Sequence, residues 1–67
     1  MVEFIAEFKR SDVSYSINDE VISFYKGRLY NFSMHNGVFI LDYSDRVVIR
    51  LDLIDYKKLF KFVRFVN

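Results

Sequence analysis

The dipeptide Asn36-Gly37, set between two runs that alternate apolar and polar residues, constrains this chain more than any other feature. Both residues tolerate the positive φ that a type I′ turn requires, so the pair specifies a two-residue β-hairpin with His35 opposite Val38. Extending that register sets Met34 against Phe39, Phe32 against Leu41 and Tyr30 against Tyr43 on one face. The other face receives Asn31, Ser33, His35, Ile40 and Asp42. A slip of one residue would turn each apolar set outward, so the assignment propagates to the neighbouring strands.

Alternation of the same kind predicts strands over Val2 to Lys9, Val13 to Ile17, Val21 to Tyr25, Leu29 to His35, Val38 to Tyr43 and Val47 to Leu51. A three-residue loop at Ser44-Asp45-Arg46 places Val47 against Tyr43, Ile49 against Leu41 and Leu51 against Phe39. A similar loop at Tyr25-Lys26-Gly27, with Gly27 in the left-handed position of a bulge, places Phe24 opposite Arg28 and Ile22 opposite Tyr30. The predicted core face is then Ile22, Phe24, Tyr30, Phe32, Met34, Phe39, Leu41, Tyr43, Val47, Ile49 and Leu51.

Beyond Leu51 the period changes. Asp52 suits a helix N-cap, and Asp55 at the third helical position gives the acidic first turn that complements the helix dipole. At helical spacing Tyr56, Leu59, Phe60, Phe62, Val63 and Val66 share a broad arc, with Lys57, Lys61 and Arg64 opposite. The pattern predicts a C-terminal amphipathic helix packed on the sheet. The Phe and Val content of Lys61 to Val66 keeps a strand as the competing reading. The expected class is α+β, an antiparallel meander of five or six strands with a C-terminal helix, the alternative being an all-β partial barrel. At 67 residues the chain has room for one small domain, residues 1 to 67.

Composition removes several classes. With 8 Phe, 5 Tyr, 2 Gly and no Pro the chain opposes disorder. It lacks both an apolar run of membrane-spanning length and the basic and apolar regions of a signal peptide, so the expectation is a cytoplasmic protein with no membrane partner. Without Cys and with a single His, neither disulfides nor an ordinary zinc site is available, and no cofactor is expected. Residues with AT-rich codons dominate, as in low-GC bacteria, phages and archaeal viruses.

No catalytic motif stands out. Ser33, His35 and Asp42 share a face but form no recognised nucleophilic arrangement. Asp19-Glu20 and the pair Asp42 and Asp45 lie at turns, where Asp is favoured for local hydrogen bonding. Gly27 and Gly37 are isolated turn glycines. The reading is non-enzymatic, with no small-molecule substrate.

Charge is distributed unevenly: residues 1 to 25 carry a net −3 and residues 26 to 67 a net +4. Lys57, Lys58, Lys61 and Arg64 form a basic ridge on the predicted helix, which makes nucleic acid an alternative partner, with Tyr25 or Tyr15 stacking on bases. The second sheet face is more informative. Val21, Tyr25, Leu29, Val38, Ile40 and Val48 point there among Arg46, Arg50 and small polar residues. If Val2 to Ile17 folds over this face the sheet closes toward a barrel; if it extends the sheet, an apolar patch stays open, of the kind that marks protein interfaces. The expected function is protein binding through Tyr25, Leu29, Val38, Ile40, Val48, Arg46 and Arg50. One form is a phage or mobile-element inhibitor of a host enzyme such as a defence nuclease, anti-CRISPR-like in role. A homodimer or a tight hetero-complex is expected because the apolar face would otherwise stand in water. A structural subunit of a larger assembly is a further alternative.

Overall fold

A computed structural model describes residues 2 to 66. In chain order the elements are β1 (Val2–Phe8), β2 (Val13–Ile17), β3 (Glu20–Phe24), β4 (Leu29–His35), β5 (Val38–Asp42), β6 (Val48–Leu51), α1 (Leu53–Leu59) and β7 (Phe60–Phe65). Five strands form one antiparallel sheet in the order β6-β5-β4-β1-β7, and β2 and β3 form a separate ribbon. The class is α+β, as the alternation and the change of period after Leu51 predict.

The β4–β5 hairpin has the expected register, His35 opposite Val38 and Phe32 opposite Leu41. Asn36 and Gly37 both take positive φ, 51° and 77°. The β5–β6 pairing also follows the pattern, with Ile49 opposite Leu41 and Leu51 opposite Phe39. The β4–β5 ladder ends at Phe32 and Leu41, so the expected Tyr30–Tyr43 pair is not part of it.

Those tyrosines act elsewhere. Ile22 and Phe24 are buried as expected, but β3 does not pair with β4, and the predicted pairs Phe24–Arg28 and Ile22–Tyr30 do not form. Strand β4 is instead flanked by β1 and β5. The edge of β3 that a neighbouring strand would have satisfied is met by phenols. Tyr43 Oη accepts from Ser23 N at 3.0 Å and donates to Ser23 O at 3.3 Å, and Tyr30 Oη accepts from Tyr25 N at 3.2 Å. Two side chains thus satisfy main-chain groups that would otherwise need a ladder or water.

Strand β1 is the organiser. Phe4, Ala6 and Phe8 alternate inward and are buried, and both flanks of the strand are paired, with β4 on one side and β7 on the other. At the end of β1 the turn carrying Gly27 (φ 87°) docks on it: Gly27 N donates to Phe8 O and Phe8 N to Arg28 O.

Asp52 caps α1 as expected, its Oδ1 accepting from Asp55 N at 2.8 Å. The helix, however, stops at Leu59, and residues 60 to 65 are the seventh strand. The physical reason is the open flank of β1: an aromatic and β-branched run forms a ladder there, whereas helix continuation would leave that flank of β1 unpaired. Both α1 and the ribbon pack on the same side of the sheet. Tyr56 stacks on Phe39 at 4.3 Å and meets Phe4 and Phe32 edge-on, while Phe24 meets Phe8, Tyr30, Tyr43 and Phe60.

Candidate functional site

The opposite side of the five-stranded sheet has nothing over it among the described residues. Its surface follows from the pairing. Arg50, Ile40, Ser33 and Glu3 form one row across the strands, and Asn31, Ile5 and Arg64 lie in the next. Val48 sits opposite Asp42, Leu29 opposite Glu7, Glu7 opposite Lys61, and Val38 opposite His35. Leu29 is 52% exposed, Val48 49% and Val38 37%, while Ile5 and Ile40 are half-buried. The sheet therefore presents apolar side chains spaced by ions of both signs, with Lys61 facing Glu7 and Arg50 sharing a row with Glu3.

Five of the seven residues predicted to bind a partner, Leu29, Val38, Ile40, Val48 and Arg50, come together on this face. Tyr25 does not lie on it: it occupies the turn before β4, with the Arg28 guanidinium 5.2 Å from its ring centre. Arg46 is turned toward the ribbon, its Nη1 3.1 Å from Glu20 Oε1. A loop residue is free of the alternation that fixes strand residues, and here the acidic start of β3 lies within its reach. Val21 also leaves the face, because β3 is not part of this sheet.

The predicted basic ridge is divided. Lys57 and Lys58 are on α1, whereas Lys61 and Arg64 are on β7 and face the open side with Glu7 and Ile5. The two pairs lie on different elements because the helix ends between them. Residues that join the face without having been foreseen are Glu3, Ile5 and Glu7 of β1. Their alternation with Phe4, Ala6 and Phe8 marked them as outward, but only pairing could set them beside β4.

Ser33, His35 and Asp42 share the open face, with no hydrogen bond joining them in the described structure. No group of three His, Asp or Glu among the described residues is arranged to hold a metal ion. A depression of about 340 Å³ lies where the β4–β5 ladder ends, lined by Arg28, Leu29, Tyr30, Asn31, Asp42 and Tyr43. A second, about 490 Å³, separates the loop before β2 from the end of α1 and includes Arg10, Asp12 and Lys58. Both are open and shallow, unlike the enclosed apolar pockets that hold small ligands. The groups with displaced pKa values are on the covered side: burial raises Tyr56, and burial together with the neighbouring Tyr43 raises Tyr15.

No known family, curated protein or solved structure matches the chain. No helix among the described residues is long and apolar enough to cross a membrane.

Proposed function

We propose that this protein is a non-enzymatic binding module whose contact surface for another protein is the open face of the five-stranded sheet. One observation carries the reading: the helix and the ribbon are both stacked on one side, leaving Ile5, Leu29, Val38, Ile40 and Val48 uncovered on the other. Apolar side chains held on a rigid ladder lose little entropy on docking, and surrounding ions supply orientation and exclude wrong partners. The ions also favour protein over nucleic acid. Glu3, Glu7 and Asp42 are interspersed with Arg50, Lys61 and Arg64, so a phosphate backbone crossing the face would meet carboxylates as well as cations. A small module of this kind acts by occupying a surface, and inhibition of a host enzyme by a phage-encoded or mobile-element-encoded protein is the role it suits best.

A photo-crosslinking amino acid placed at Leu29 or Ile40 in cells tests this. The expected result is a discrete protein adduct from both positions and none from Val21, which is exposed on the back of the ribbon. Adducts with nucleic acid, or equal labelling from Val21, would overturn the reading.

A further inference from the structure

The two edges of the large sheet are not alike. The β7 edge is interrupted: Phe62 lies opposite Ala6 and Arg64 opposite Ile5, so Val63 is an extra residue, and Lys61 and Arg64 add charge along the strand. A bulge with cations is how sheets block further pairing. The β6 edge carries no bulge. Because Val47 O accepts from Tyr43 N and Ile49 lies opposite Leu41, the main chain of Val47, Ile49 and Leu51 faces β5. The N–H and C=O groups of Val48 and Arg50 therefore point away from the sheet, and no partner for them exists among the described residues.

We infer that this edge pairs antiparallel with β6 of a second copy, about a two-fold axis at Ile49, joining two sheets into one. The sequence of the edge is complementary to itself in that register. Val48 and Arg50 of one copy oppose Arg50 and Val48 of the other, so every outward main-chain group of these residues finds a partner. Ile49 meets its own copy at the closely spaced, non-hydrogen-bonded position, and Val47 meets Leu51 on the covered face. Centring the pair on Arg50 would set like charges directly together, and centring it on Val48 would carry the ladder into the loop, where Arg46 is held by Glu20; the Ile49 register keeps both hydrogen-bonded pairs within β6. The start of α1, carrying Leu53 and the 65% exposed Ile54, stands at this same edge. Such a dimer leaves the open face uncovered and doubles it, so the inference does not depend on what binds there.

Sedimentation of the full chain with amide exchange at two concentrations reads this directly. A monomer–dimer equilibrium is expected, with the Val48 and Arg50 amides exchanging about tenfold more slowly or less in the concentrated sample. The chain has no cysteine, so single cysteines report the register. Ile49→Cys should oxidise to a disulfide-linked dimer, while Val48→Cys, offset from its own copy, should stay reduced. A strict monomer at high concentration would overturn the inference. So would a dimer that protects the amides of Phe62 and Phe65, or one in which Val48→Cys crosslinks and Ile49→Cys does not.

Discussion

Phe32 joins the sheet to everything stacked on it: its ring lies 5.4 Å from Phe4, 5.4 Å from Tyr56 and 4.8 Å from Phe60, and it is buried. Removing a ring so enclosed leaves a cavity that neighbouring aromatics cannot fill, and Phe32→Ala should lose about 3 to 5 kcal/mol in a denaturant melt. Tyr43→Phe tests a different quantity. It keeps the ring against Phe24 and deletes only the hydroxyl that satisfies Ser23 N and O, so the expected loss is about 1 to 3 kcal/mol. A loss well below that range would show that water replaces the phenol without penalty. Tyr56 adds a pH dependence. Its folded pKa is raised above the ordinary 10.0 by burial, so the folded state holds the phenol proton more tightly than the unfolded chain does. That contribution is complete below pH 10 and is lost as pH rises through the folded value. Unfolding free energy should therefore fall on going into alkali, and less steeply in Tyr56→Phe. Equal slopes would show that other groups govern alkaline unfolding.

Among the elements, α1 and β7 show how local and tertiary preferences divide a segment. The helix has a cap and an acidic first turn but spans only Leu53–Leu59, too short to persist alone. Asp52→Ala should lower stability by about 1 kcal/mol, read by thermal melting. Gly37→Ala examines the hairpin turn, where an added Cβ meets open space but the backbone holds φ at 77°. The strain should lower stability by about 1 kcal/mol without changing the register. The helical arc drawn through Phe62, Val63 and Val66 was a coincidence of spacing: side chains at those positions satisfy a helical period and a bulged strand alike. What decides between them is the free flank of β1, which the residues of 60 to 65 do not encode.

At the scale of the whole molecule, the separation of a covered face from an open one sets the expected binding behaviour. Once a protein partner is in hand, Ile40→Asp should abolish its binding at a temperature where the melt shows the variant still folded, the half-buried site in a central strand making some loss of stability expected. The combined Lys57→Glu, Lys61→Glu and Arg64→Glu variant should change association rate and salt sensitivity more than the final complex. Titration against DNA and RNA at two salt concentrations should show no binding of the steeply salt-dependent kind that phosphate contacts produce. Loss of partner binding in the triple variant, with Ile40→Asp fully active, would show that charge and not the apolar residues of the open face carries the complex, since Lys61 and Arg64 lie on that face.

The sequence by itself determined whatever depends on residues a few positions apart. The Asn36-Gly37 turn and the left-handed Gly27 follow from local backbone preference, and the Asp52 cap from local hydrogen bonding. Alternation determined which side chains turn inward: every residue of the predicted core face is buried or packs against the buried cluster. Alternation names a face and not a neighbour, since lateral hydrogen bonds are made by main-chain groups that are the same in every residue. Only the tertiary structure decided that β1 enters between β4 and β7, that tyrosines replace a strand beside β3, and that residues 60 to 65 leave the helix. Those choices depend on which ladder leaves fewest main-chain groups unpaired across the whole sheet, a quantity defined only when all strands are present together.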